Sequence, residues 1–317
     1  MKRYLVYPTQ FDTRAHMLDE AAEHWDMQVK DLHAQNKERL VANLKDELGD
    51  FGFEQKIKNF RDLGSSPFSI VAHHNALFHQ ARYAFIHSLY YPALTAGCAL
   101  GERILNHLLL DLRHHFSQSP FDRRSHTRQS IDDWSKAIET LSEWGVFQTS
   151  KVKTTFEQLK ALRNRSLHFN ASTIATLRED ALAALGCLAT VIEKQFGFQF
   201  ERTIPGSKGA FFFRKDAEAD PFIRHYYLRH SPHVSPYYAM NFVGGVWLVF
   251  DRVVGPDVEV SDEEFVSIFR ARTPDQLAPT DVPWSGEVAV VALTPAGVMA
   301  VDYRPGAEAL TDRLPSI

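Results

Sequence analysis

A chain of 317 residues with a formal net charge of -4 has room for two domains and little more. Its 44% hydrophobic and 23% charged residues exclude collagen-like, largely disordered and disulfide-scaffold classes. The slight acidity also excludes a surface coated in basic residues for bulk nucleic-acid binding, so any such contact has to be a local patch.

Cys98 and Cys187 both sit in apolar helical patterns, so a cytoplasmic protein without a disulfide framework is expected. The N-terminal Met1-Lys-Arg-Tyr-Leu-Val-Tyr-Pro8 has too short an apolar run for a secretory signal. Residues 92–112 form the most apolar helix candidate, but Glu102, Arg103, Asn106 and His107 interrupt it. That marks a core helix, not a membrane span.

Residues 3–7 read as a short strand. From 13 to 48, Leu18, Ala22, Trp25, Val29, Leu32, Leu40, Leu44 and Leu48 keep a three-to-four spacing, which predicts one long helix. Its stripe rests either on the following helices or on a partner chain, where Asn36 would fix the register. Gly49-Asp-Phe-Gly52 ends it.

Helices are next predicted over 69–90 and 92–112, with Pro92 in a first turn that needs no N–H. Ala96-Gly-Cys-Ala-Leu-Gly101 is small enough for a neighbouring backbone to approach closely. The polar stretch 117–129 reads as a loop or fold-back segment, and Ser130-Ile-Asp-Asp133 as the capping-box start of a short helix closed by Gly145, with Ile131, Trp134, Ile138 and Leu141 inward. Ser150 opens a helix with Val152, Phe156, Leu159 and Leu162 as its buried stripe. After a break at 169–172, a last helix runs to about 196. Residues 65–200 therefore form an all-helical bundle, preceded by a separate N-terminal part at 1–64.

Beyond Gly197 the runs 210–213, 222–228, 246–254, 287–293 and 298–303 are β-like. Thr294-Pro-Ala-Gly297 reads as a hairpin connection, and Ser261-Asp-Glu-Glu264 announces a helix over 262–271. The fold class is α+β, with a β-rich accessory domain at 201–317.

The chemistry concentrates in Leu159-Lys-Ala-Leu-Arg163-Asn164-Arg165-Ser166-Leu167-His168. A guanidinium presents a fork of donors to phosphate, and an imidazole moves protons near neutral pH. Spacing alone is weak: 15 histidines and 22 arginines in 317 residues give about one Arg-x4-His pair by chance. Arg82 and His87 form a second one. They lie inside a helical pattern, where a five-residue step makes them diverge. Arg163 and His168 lie at a helix end, where Asn164 shares a face with His168 if the helix continues.

Arg163-Asn164-x-x-x-His168 between two apolar helices resembles the R-[polar]-x3-H signature of HEPN domains, the helical ribonucleases of toxin–antitoxin, phage-defence and CRISPR effector systems. Gly101-Glu102-Arg103 resembles the early helix of that family, which commonly carries an acidic residue facing the site. The resemblance covers about 65–197. It implies a HEPN-like bundle and a metal-independent endoribonuclease with no cofactor, in which two copies of the motif meet in a homodimer. A toxin or antiviral-defence role, an RNA substrate and a regulatory protein partner go with it. The tyrosine that follows the histidine in a nucleotidyl-acceptor subgroup is absent here, where Phe169 to Ser172 follow.

The residue types allow this chemistry by themselves. RNA cleaves when its 2′-OH attacks the adjacent phosphate; His168 would carry the proton and Arg163 would stabilise the charge. Arg165 would hold the substrate or a neighbouring helix, and Glu102 would be either a partner of Arg163 or one half of a buried salt bridge. An arginine at a helix C-terminus is also favourable for purely structural reasons. A non-catalytic module that binds a nucleotide, an RNA or a protein partner through the same pocket is therefore the competing reading.

Arg224-His-Tyr226-Tyr-Leu-Arg229 interleaves basic and aromatic residues as single-strand RNA surfaces do. As a strand it would place Arg224 and Tyr226 on one face and Arg229 on the other. The histidines match no metal-ligand framework, and no nucleotide-binding or nucleophile motif occurs.

Overall fold

The computed structural model describes residues 1–6, 10–69, 72–116, 133–167, 174–198, 200–207, 209–243, 246–251, 258–273, 276, 287–293 and 299–305. The loop expected at 117–129, Ser130 of the expected cap, the break at 169–172 and the connection at 294–297 lie outside the described residues. The described chain is α+β and divides into two compact units. One is Gln10–Phe68 with His74–Gly197; the other is Met1–Thr9, Ser69–His73 and Phe198–Ile317.

After β1 (Arg3–Tyr4) come β2 (Gln10–Asp12), a 3-10 turn at Arg14–Leu18, α1 (Met27–Leu48), α2 (Phe53–Leu63) and β3 (Ser66–Ser69). The helices α3 (Ala72–Ile86), α4 (Tyr90–Leu112), α5 (Trp134–Glu143), α6 (Ser150–Leu167) and α7 (Leu177–Phe196) follow and, β1 apart, these elements make up the helical unit. The second carries β4 (Thr203–Pro205), β5 (Phe211–Phe213), α8 (Pro221–Tyr226), β6 (His233–Val234), β7 (Ala239–Val243), β8 (Val246–Phe250), α9 (Asp262–Ala271), β9 (Glu287–Leu293) and β10 (Met299–Pro305). No helix among the described residues is long and apolar enough to cross a membrane.

In the helical unit α4 is central. Eleven of its residues, from Ala93 to Leu112, are buried, and it packs on α5, α6 and α7. An apolar surface on most sides is what a helix enclosed by neighbours requires. Local signals set the neighbours' ends. The Asp133 carboxylate accepts the Lys136 N–H at 3.2 Å to start α5, and Gly145 stands at φ +67° just beyond its end.

The single long helix expected from 13 to 48 is corrected: only Met27–Leu48 is α-helical. Ala15 and Leu18 instead pack with Leu44, Leu48 and Phe60, and Arg14 pairs with Glu47 at 2.7 Å. The 3-10 turn thus lies beside the far end of α1, because burying Ala15 and Leu18 there gains more than extending a helix into solvent. The stripe is covered from Leu40 onward, whereas Trp25, Val29 and Leu32 stay exposed. Residues 10–64 accordingly belong with the bundle, and the first nine with the second unit, in place of a separate part at 1–64.

In the second unit β7 to β10 form a four-stranded antiparallel sheet in chain order. Phe212, Val234, Tyr238, Val249, Phe265 and Phe269 are in its core. β1 pairs antiparallel with β6 as a separate two-stranded sheet, with Arg3 opposite Val234. Arg3 is fully buried; it donates to Asp262 at 2.7 Å, to Glu259 at 3.1 Å and to the Val260 carbonyl at 2.6 Å. This fixes the N-terminal strand to the start of α9.

The strand expected at 222–228 is corrected to the helix α8. Asp220 accepts the Phe222 N–H at 2.8 Å, and Pro221 fills the first turn. Phe222, Ile223 and Tyr226 are buried together, which a helix achieves and an alternating strand does not.

Candidate functional site

Val152, Phe156 and Leu159 bury one face of α6. Arg163, one turn after Leu159, extends that face toward α4. Its Nη2 reaches Glu102 Oε2 at 3.1 Å. The same carboxylate oxygen accepts the indole N–H of Trp134 at 3.1 Å, and the guanidinium lies 5.6 Å from the Trp134 ring centre. Trp134 itself is buried. Three helices therefore converge on one cation: α6 supplies it, α4 the counter-charge, and α5 the ring and donor that hold both.

Both charged side chains keep about a third of their surface, 31% for Arg163 and 33% for Glu102. A pair this open contributes at most about 1 kcal/mol of stability. Its value lies in orientation, since a guanidinium held along one edge keeps the other edges for a further acceptor. One turn before Glu102, Cys98 is buried. Burial pushes its thiol up to about 11, with Arg163 pulling the other way.

Successive helical residues point about 100° apart, so the three polar residues of the motif fan out. Arg165 turns to α7 and pairs with Asp180, a buried carboxylate that also accepts Thr176 Oγ1 at 3.3 Å. This contact links α6 to α7. Asn164 is exposed. The helix is described through Leu167, and His168, the next residue in the chain, lies outside the described residues.

The other pair is unlike this one. Arg82 is buried and donates to backbone carbonyls at the end of α2, while His87 packs on Tyr83 with ring centres 4.3 Å apart. Asn106 donates back to the Glu102 carbonyl at 3.1 Å, and His107 meets His74 at 3.3 Å. In the second unit the expected basic and aromatic surface does not assemble as a strand. Tyr226 is buried, Arg224 donates to the Glu218 carbonyl at 3.1 Å, and Arg229 is exposed.

Trp134 is the residue the sequence pattern assigned only to the core. A buried indole N–H needs an acceptor, and a tryptophan directly after an N-cap, near a helix carrying one internal glutamate, was the available signal. No family model matches the chain, and no curated protein or solved structure is detectably similar to it.

Proposed function

We propose that the helical unit is a HEPN-like, metal-independent endoribonuclease, with Arg163 and His168 as its catalytic pair and two copies contributing to one site. The observation that carries this reading is the Arg163–Glu102 pair braced by Trp134. It holds a partly exposed guanidinium at the end of the motif helix, five residues before the histidine. Arg163 would meet the phosphate while His168 takes or returns the proton of the 2′-OH. Asn164, exposed one position later, is available to the imidazole or to RNA. Arg165 serves by fixing α6 to α7.

The test is cleavage of end-labelled RNA by the purified full chain in EDTA. Wild type is expected to leave 2′,3′-cyclic phosphate ends, and His168→Ala and Arg163→Ala to lose about a hundredfold or more of the rate. Equal cleavage by wild type and His168→Ala would overturn the catalytic assignment. RNA or nucleotide binding that needs Arg163, with no cleavage, would favour the non-catalytic module.

A further inference from the structure

Arg82 of α3 is 5% exposed. Its Nη2 donates to the Gly64 carbonyl at 2.6 Å and its Nη1 approaches the Leu63 carbonyl at 3.4 Å. The guanidinium carbon lies 5.6 Å from the Phe78 ring centre. These contacts cap the C-terminal end of α2, where carbonyls lack helical partners. They use two of the five N–H donors of a guanidinium, and none brings a full negative charge.

A buried cation ordinarily has an anionic partner. Among the described residues no carboxylate forms an ion pair with Arg82, and Asp12 acts on it only at longer range. The reason is visible in Asp12 itself: Arg14 holds both its oxygens, with Nε 3.1 Å from Oδ1 and Nη2 2.9 Å from Oδ2. Arg14 is in turn matched by Glu47 at 2.7 Å. Asp12 and Glu47 thus direct their contacts to Arg14, and although the four groups together carry no net charge, Arg82 meets no carboxylate directly. Burial pushes its guanidinium down to about 10.

That charge lines a cleft of about 400 Å³ shared with Phe11, Asp12, Arg14, Ser66 and His79. The size falls within the range of small-ligand sites. His79 is exposed and adds an imidazole. Phe11 is 55% exposed, in contact with the Phe68 ring at 5.9 Å. A phenyl ring left open beside cationic groups is a platform for a planar base.

We propose that this cleft binds a nucleotide, its phosphate on Arg82 and His79 and its base on Phe11. The site lies in the helical unit and does not depend on the ribonuclease reading of Arg163. Isothermal titration calorimetry of the full chain with the four ribonucleoside 5′-monophosphates, with inorganic phosphate and with adenosine tests it.

At least one monophosphate is expected to bind saturably, about tenfold or more tighter than phosphate or the nucleoside alone. Phe11→Ala should weaken that nucleotide about fivefold or more and leave phosphate binding unchanged. Arg82→Lys should weaken both ligands about tenfold. Because Arg82 also caps α2, His79→Ala, at an exposed position, is the second variant and should weaken nucleotide and phosphate alike. Absence of saturable binding by any monophosphate at millimolar concentration would overturn the proposal. So would nucleotide affinity unchanged in both Phe11→Ala and His79→Ala.

Discussion

Two glycines of α4, one turn apart, are expected to respond to the same substitution with opposite signs. Gly→Ala in a helix gains about 0.5–1 kcal/mol by restricting the unfolded chain. At Gly97 an added Cβ would sit 3.6 Å from Leu188, 3.7 Å from Leu185 and 3.8 Å from Ala184. These are ordinary contacts, so Gly97→Ala should stabilise by about 1 kcal/mol. At Gly101 the Cβ would lie 2.5 Å from Leu159 Cδ2 and 3.0 Å from Trp134 Cη2, and both side chains are buried. Overpacking costs about 1–3 kcal/mol, and moving the indole also strains its hydrogen bond to Glu102. The propensity gain offsets only part of this, leaving a net loss of about 1–2 kcal/mol. For a unit of this size each kcal/mol shifts Tm by about 2–4 °C. Thermal unfolding of the full chain followed by helical circular dichroism should therefore show Gly97→Ala raising Tm and Gly101→Ala lowering it. Shifts of the same sign would refute the packing argument.

In the second unit, Arg3→Met should leave Asp262 without its buried partner and destabilise by about 3 kcal/mol, read as a lower urea midpoint in near-ultraviolet dichroism; a loss below about 0.5 kcal/mol would mean that Arg3 does not tie β1 to α9. The Cys98 thiol, pushed up to about 11, should carry about a hundredfold less thiolate near pH 8 than an ordinary cysteine. Peptide mapping after iodoacetamide should then show Cys98 labelling rise with pH beyond about pH 10; a plateau near neutrality would contradict its burial.

Much of the fold was legible because its signals are local. Gly145 after α5 and Ser261 before α9 act within one turn of where they stand, and both do what their chemistry predicts, whereas α5 is capped by Asp133, three residues after the expected Ser130. The runs at 246–250 and 287–293 are strands for the same kind of reason. The failures are of two kinds. Ala15 and Leu18 keep helical spacing with the residues after them, and only the hydrophobic surface at Leu44, Leu48 and Phe60 folds them back. Nothing near residue 3 announces a pairing with residue 234. By contrast, the aromatic content of 222–228 points to a strand although Asp220-Pro221 is a helix start written in the sequence. There the capping signal outweighed β-propensity, which depends on having a sheet to join.

The candidate site divides along the same line. Arg163 and Arg82 are equivalent as spacing, each five residues before a histidine, and only their surroundings separate them. Arg82 turns into the protein and meets carbonyls. Arg163 stays partly open and meets a carboxylate that a buried tryptophan holds from behind. A glutamate so close to a proposed phosphate-binding arginine would be expected to oppose the ligand, since it competes for the same charge. The geometry argues otherwise. Glu102 Oε2 contacts Nη2, while the indole N–H takes part of that oxygen's acceptor capacity, so the pair fixes the plane of the guanidinium along one edge. Under the proposed function a phosphate would approach a cation whose direction is already set, and the entropy of ordering a long side chain would not be lost at binding. In the proposed reaction Trp134 and Glu102 would be positioning residues, and the exposure that remains on Arg163 would be the part that meets the ligand.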